Sequence, residues 1–215
     1  MSIVGDAVPN PPSAPAIVSW RRAVAALYAR VRAVAATSPP DAHGLWSGER
    51  DRLFRDHPAS PLPASERQAF SGLPVGSYDP AYRFTVAMDT QSAPERLEIP
   101  TGSDGVIPFV QAGSATLGDL GTVDVWWLDS YGGGLFLPLK DGLAGRGTYA
   151  GGRYVLDTVK GADLGGDGDH LVVDLNFAYN PSCAYAPEWT CPLPPSSNTL
   201  TAQVPVGELV EAPRK

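Results

Sequence analysis

The sequence predicts an α+β fold in which a helical preamble precedes a mostly antiparallel β-barrel or sandwich of about nine short strands. Three observations carry this reading. Apolar residues recur at spacings of three and four ahead of Gly72, and from Tyr82 onward the pattern changes to alternation. The alternating runs are separated at hairpin intervals with no helical stretch between them, which favours an antiparallel meander over βαβ units. The chain of 215 residues also holds 23 Gly and 22 Pro, a composition of many turns, with 43% hydrophobic residues to build a core. The expected organisation is a loosely ordered leader over residues 1–15, the helical preamble over 16–72 and the β domain over 73–215, in one folding unit.

Met1 to Pro15 is small, Pro-rich and weakly patterned. From Ala16 to Ala36, Ile17, Trp20, Val24, Leu27, Tyr28, Val31 and Val34 form one apolar stripe, with Arg21, Arg22, Arg30 and Arg32 between them. Ser13 and Pro15 start this amphipathic helix and Ser38-Pro39-Pro40 stops it. Ser47 to His57 reads as a short second helix with Leu53 and Phe54 inward, and Ala64 to Phe70 as one further helical turn. The preamble either caps a sheet edge or lies over a pocket. Strands are expected at Tyr82–Met88, Arg96–Ile99, Val106–Val110, Ala115–Leu117, Val123–Leu128, Leu135–Leu139, within Gly147–Leu156, at His170–Phe177 and at Leu200–Val206. In His170–Phe177 the period of two sets Leu171, Val173, Leu175 and Phe177 on one face and places Asp174 with Asn176 on the other.

A formal charge of −7 argues against nucleic acid or an anionic membrane as partner, since both need a basic face. The first residues carry no basic and apolar secretory pattern, and no window approaches the roughly 18 apolar residues of a membrane span. The cytoplasm is therefore the expected compartment, where two cysteines are more often free thiols than a disulfide. Gly132-Gly133-Gly134 and Gly151-Gly152 lack the Lys-Ser/Thr of a phosphate loop and read as turn glycines. Asp163, Asp167 and Asp169 lack the register and closing Glu of a calcium loop and read as a hairpin. Cys183, Cys191 and His170 match no zinc spacing, so no metal and no cofactor is assigned.

The stretch Leu171–Leu200 joins a strand to a Pro-rich loop holding both cysteines. Pro181 ends the strand, while Cys183, Tyr185, Trp189 and Cys191 are too apolar to be left loose in water. The run DLNFAYNPSCAYAPEWTCPLPPSSN, with SPLPASERQAFSGL, YDPAYRF and LFLPLKDGLAGRGTYAGGRYVLD ahead of it, resembles the bacterial and archaeal family known as domain of unknown function 1684. The resemblance spans about Trp20 to Glu208. It implies one domain of this length, without a known cofactor and without an established activity.

Candidate chemistry lies in the polar residues of those segments. Arg153 would bind a carboxylate or phosphate of a small-molecule ligand, with Arg83, Asp141, Asn176, Tyr179 and Asn180 beside it, and Asp174 or Tyr149 would act as general acid or base. In the alternative reading Arg153 pairs with Asp174 or Asp141, and tyrosine hydroxyls satisfy Asn176 and Asn180 in a structural network. The cysteines have three readings: buried packing, a redox-dependent staple of the loop, or a nucleophile at Cys183, for which no local histidine serves as base. The function these residues predict is a cofactor-independent small-molecule enzyme. It would use acid/base chemistry in a pocket between the barrel mouth, the preamble and the Cys183–Cys191 loop. The alternatives are a non-catalytic binding module and an interaction protein displaying Trp126 or Trp189.

Overall fold

The computed structural model describes residues 12–91, 93–101, 105–168, 170–186 and 189–210. Most of the expected leader, and Asp169 of the acidic loop, lie outside them. Helix α1 (Ala14–Ala35) is capped by Ser13, which accepts from the Ala16 N–H, and Pro15 lies in its first turn. The Ser38-Pro39-Pro40 run stops α1 and also starts α2 (Pro39–Asp56). Ser38 accepts from the Asp41 N–H, and both prolines occupy first-turn positions where a missing N–H costs no helical bond. The second helix is therefore longer than the expected Ser47–His57. Ala42, His43, Trp46, Arg50 and Phe54 form its buried stripe, and Trp46 meets Leu27, Tyr28 and Val31 of α1 in one cluster. A four-residue helix, α3 (Ala64–Arg67), follows.

Eight strands follow among the described residues: β1 (Arg83–Ala87), β2 (Arg96–Thr101), β3 (Gly105–Thr116), β4 (Thr122–Leu128), β5 (Leu135–Leu139), β6 (Arg153–Asp157), β7 (Gly166–Asp167) and β8 (His170–Asp174). Strands β2 to β6 make a five-stranded antiparallel meander in chain order. A second antiparallel sheet has the order β1-β8-β7, so β1 pairs with a strand far along the chain. Of the expected barrel or sandwich, no closed barrel is found among the described residues: the fold is α+β with two antiparallel sheets. Where the chain leaves β1 it passes β3, and Asp89 and Ser114 exchange backbone hydrogen bonds at 2.9 Å. Gly113 permits this approach, since a Cβ there would lie 2.6 Å from the Asp89 carbonyl oxygen.

Five expected strands differ in the structure. Val106–Val110 and Ala115–Leu117 belong to one strand, β3, whose register shifts between Gln111 and Gly113 at a bulge. The segment Gly147–Leu156 is ladder only from Arg153. The strand from His170 ends at Asp174, whose side chain accepts from the Asn176 N–H and turns the chain into a 3-10 helix over Leu175–Phe177. This turn sends Leu175 into the cluster shared by both sheets and Phe177 into the helical cluster, where a strand would have set both on one face. Leu200–Val206 is not a strand, although Leu200, Val204 and Val206 are buried in the sheet cluster.

The core has three parts. One takes side chains from both sheets, including Val123, Val125, Leu137 and Val173. The second lies between the two long helices and Phe177. The third is aromatic, with Phe109, Trp126, Phe136 and Tyr154. Trp126 is 2% exposed and is no displayed residue; its indole N–H donates to Asn198 Oδ1 at 3.0 Å.

Candidate functional site

The sequence-predicted site residues separate into two polar nodes and a cleft. In the first node the Arg153 side chain, 0% exposed, pairs with Asp141 at 2.9 Å. It also donates to the carbonyls of Val204, Val206 and Glu208. Residues two apart in extended chain present their carbonyls on the same side. Arg153 thus supplies Leu200–Val206 with donors that a neighbouring strand would otherwise provide, which explains alternating burial there without a ladder. Burial pushes the Arg153 guanidinium down and Asp141 opposes that shift. Asp141 also accepts from the Thr148 hydroxyl and the Leu143 N–H.

In the second node Arg83 donates to Asp174 Oδ2 at 2.9 Å, across the register pair that joins β1 to β8. Asp174 Oδ1 accepts from the backbone and side-chain nitrogens of Asn176. Asn176 in turn holds Asp79, accepting from its N–H at 2.8 Å and donating to its carbonyl at 2.9 Å. Both oxygens of Asp174 are engaged inside the protein, and neither node lines the cleft described next. Fully buried Asn198, the last residue of CPLPPSSN, has a similar fastening role: its amide donates to the carbonyls of Asp124 and Pro138 and ties the Pro-rich loop to β4 and β5.

The cleft, about 590 Å³ including its open mouth, has three walls. Helices supply Trp20, Val24 and Tyr28 from α1 and Arg50 and Phe54 from α2, each set at helical four-residue spacing. The end of β6 and the turn after it supply Tyr154, Asp157 and Lys160; the third wall is Tyr179 to Ser182, Tyr185 and Cys191. Tyr179 and Asn180 are thus the sequence-predicted ligand contacts that face it. Arg50 is one of the residues that sequence reasoning missed. Its guanidinium carbon lies 4.9 Å from the Tyr179 ring centroid, 5.1 Å from Phe54 and 5.2 Å from Trp46. It pairs at 2.7 Å with Glu208, which also accepts from the Asn180 N–H and whose carboxyl is pushed up by burial.

Among the described residues Arg50 Nε, Asn180 Oδ1 and the Tyr185 hydroxyl are buried without a hydrogen-bond partner, and each belongs to a residue lining the cleft. Other polar side chains of the walls have partners. Lys160 pairs with Asp157 at 3.2 Å, which holds the ammonium above its ordinary range. The Tyr154 hydroxyl donates to the Pro192 carbonyl at 2.7 Å.

Cys191 lines the cleft and Cys183 follows its lining residue Ser182 in the chain; both cysteines are free and partly exposed. The influence of Cys191 brings the Cys183 thiol down to about 6, and that of Cys183 together with burial pushes the Cys191 thiol up. The Tyr149 hydroxyl lies 3.7 Å from Cys183 Sγ and 3.4 Å from the Cys183 carbonyl. Burial, then the Cys183 contact, pushes this phenol up to about 12. A thiol pKa depressed on folding favours the folded state above the ordinary thiol range, and the contribution fades as pH falls through about 6. The rate of Cys183 alkylation by iodoacetamide is accordingly expected to rise with a midpoint near 6, against about 8.5 for a free cysteine. Cys191→Ala, which removes that influence, should move the midpoint upward; an unmoved midpoint would refute Cys191 as its cause. Among the described residues no group of three or more His, Cys, Asp or Glu side chains is placed to hold a metal ion, and no helix is long and apolar enough to cross a membrane.

Among solved structures the chain resembles an uncharacterized protein of Haloarcula marismortui determined by solution NMR. The identity is 32%, covering 78% of this chain and 92% of that one, with a TM-score of 0.56. Among curated proteins nothing matches. A family model described as "Protein of unknown function (DUF1684)" matches residues 68–209, a span that takes in both polar nodes, both cysteines, Asn180 and Glu208 and begins after the two long helices. The chain belongs to this DUF1684 family.

Proposed function

We propose that the protein binds a small molecule in the cleft between the two long helices, the end of β6 and the Cys183–Cys191 loop. The observation that carries this reading is the set of three buried, unpartnered polar atoms on residues that line it: Arg50 Nε, Asn180 Oδ1 and the Tyr185 hydroxyl. An unsatisfied buried polar group costs about 1–3 kcal/mol, so three on one cleft favour a ligand that completes them. Arg50 Nε–H asks for an acceptor, Asn180 Oδ1 for a donor, and the Tyr185 hydroxyl takes either. Trp20, Phe54, Tyr154 and Tyr179 offer ring faces and edges around these groups. The matching ligand has a flat apolar body and an amide, or a carboxylate next to a hydroxyl or amine.

An enzyme reading of this cleft rests on its own titratable groups, the Lys160–Asp157 pair and the cysteines at its edge, since Asp174 has both oxygens engaged elsewhere. The test is intact mass of protein purified gently from its native host, before and after denaturation, joined to an NMR screen with small aromatic amides and hydroxy acids. A retained small molecule, or screen compounds that shift the Arg50 Nε–H and Asn180 side-chain signals, is the expected result. Tyr185→Phe should weaken such binding by roughly five- to a hundredfold while leaving the free protein as stable or more so, because it deletes an unpartnered hydroxyl. Binding unaffected by Tyr185→Phe and by Asn180→Leu would place the ligand elsewhere, and no binding at all would overturn the reading.

A further inference from the structure

We propose that the ligand of the cleft is a zwitterion, an α-amino acid with an aromatic side chain, its carboxylate received by Arg50 and its ammonium group by Asn180. The inference rests on the cleft being a small-molecule site and adds the class of molecule it takes. It starts from two lining residues that are each more than nine-tenths buried, Arg50 at 8% exposed and Asn180 at 4%. Both are fastened to a single atom: Glu208 Oε2 accepts from Arg50 Nη2 at 2.7 Å and from the Asn180 N–H at 3.0 Å. An unpartnered cationic donor, Arg50 Nε, and an unpartnered acceptor, Asn180 Oδ1, are therefore held on neighbouring residues. An α-amino acid presents the complement of that pair, an anionic acceptor and a cationic donor on one carbon.

Charge selects the zwitterion over a simple acid or amine. Among the described residues the ionic groups at and just behind the walls come in two opposite pairs, Arg50–Glu208 at 2.7 Å and Lys160–Asp157 at 3.2 Å. Tyr179 links the pairs, its ring centroid 4.9 Å from the Arg50 guanidinium carbon and its hydroxyl 3.5 Å from Asp157 Oδ2. A lone carboxylate or a lone ammonium would bring an uncompensated charge to walls already balanced, at the cost of its hydration. A zwitterion brings no net charge. A neutral amide would also complete the two atoms, but the guanidinium N–H favours a carboxylate, since a charge-assisted hydrogen bond is roughly twice as strong as a neutral one.

The side-chain preference follows from the rings. Trp20 and Phe54 have centroids 6.0 Å apart on the helical wall, and Tyr154 and Tyr179 have theirs 5.8 Å apart on the other two. An aromatic side chain laid among them gains edge-to-face and offset contacts that an aliphatic one does not. The same tyrosine rings attract a cation, which suits the ammonium group beside Asn180.

The test titrates the isotope-labelled full chain at neutral pH, followed by NMR, with L-phenylalanine, phenylpropanoate, phenethylamine and N-acetyl-L-phenylalaninamide, which share one ring and differ in charge. L-Phenylalanine should bind roughly tenfold more tightly than each of the other three and shift the Arg50 Nε–H and Asn180 side-chain signals. L-Leucine should bind about fivefold more weakly than L-phenylalanine. Lys160→Met, at a side chain 55% exposed, removes one positive charge and should turn the preference toward phenethylamine over phenylpropanoate by about tenfold. Equal or tighter binding of the acid, the amine or the amide by the wild type would overturn the zwitterion and leave the cleft a ligand site. So would a compound of the aromatic amide and hydroxy acid screen that binds there when L-phenylalanine does not. L-Phenylalanine binding that leaves the Arg50 and Asn180 signals unmoved would overturn the placement of its two poles. If neither L-phenylalanine nor any screen compound binds, the ligand-site reading falls and this inference with it.

Discussion

Replacing Arg153 with Met is expected to destabilise the protein by about 3–5 kcal/mol, the range for removing one member of a buried ion pair. For a chain of this size that is a fall in melting temperature of roughly 10–15 °C. The side chain is fully buried and serves four acceptors: Asp141 and the carbonyls of Val204, Val206 and Glu208. Met fills similar volume and supplies no donor, so Asp141 is left without its cation and the carbonyls without partners. Arg153→Lys keeps the charge, but a single ammonium cannot span a carboxylate and carbonyls along a segment, and its loss should be intermediate. The double variant Arg153→Met/Asp141→Leu should cost less than the sum of the single changes, because it removes the stranded charge as well. Urea denaturation of the wild type, the two Arg153 variants, Asp141→Leu and the double variant checks all three statements. Wild-type stability in Arg153→Met, with loss of ligand binding alone, would return Arg153 to the role of anion binder.

That Arg153 requires a buried partner is legible in the sequence, since it heads the run Tyr154-Val155-Leu156 of apolar residues. Which partner it takes is not legible. Asp141 and Asp174 are both acidic residues beside apolar strands, and the sheet order decides that Asp141 faces Arg153 while Asp174 meets Arg83. The same limit applies to Leu200–Val206. Its alternation truly records burial, but alternation cannot say whether a strand or an arginine satisfies the backbone.

The helices were legible as periodic stripes, and the misplaced start of α2 has a definite cause. Ser-Pro-Pro carries equal local signal for a stop and for a capped start, because proline at the first turn removes no helical hydrogen bond. Arg50 could have been found by the same periodicity: it falls four residues after Trp46 and four before Phe54, on the stripe that is buried. Glu208 could not, since a lone carboxylate near the end of the chain has no local pattern, and its burial follows from a segment that folds back beside Asn180. The pairing of β1 with β8 is likewise set by tertiary packing, with no turn chemistry to announce it.

Trp46→Ala should be as damaging as the loss of Arg153, at about 3–5 kcal/mol for truncating a fully buried aromatic. Trp46 lies where the two long helices meet the turn leaving β8. Its indole N–H donates to the Tyr28 hydroxyl of α1 at 3.1 Å, and its ring packs edge-on against Phe177 with centroids 5.4 Å apart. It also gives Arg50 one of its three aromatic faces. Alanine leaves a cavity, strands the Tyr28 hydroxyl, whose pKa burial already pushes up to about 12, and loosens Arg50 at the cleft wall. Trp46→Phe separates these contributions: it keeps most of the packing and removes the N–H, so a loss nearer 1 kcal/mol is expected. The informative comparison uses far-UV circular dichroism for the helices and, in a background with Trp20→Phe and Trp189→Phe, tryptophan fluorescence for the sheet-borne Trp126 and Trp127. If helices and sheets unfold together, both signals in Trp46→Ala move to the same lower urea midpoint. A helical transition that separates from an unshifted sheet transition would instead show that α1 and α2 form a detachable layer, and the cleft would then be assembled by their docking.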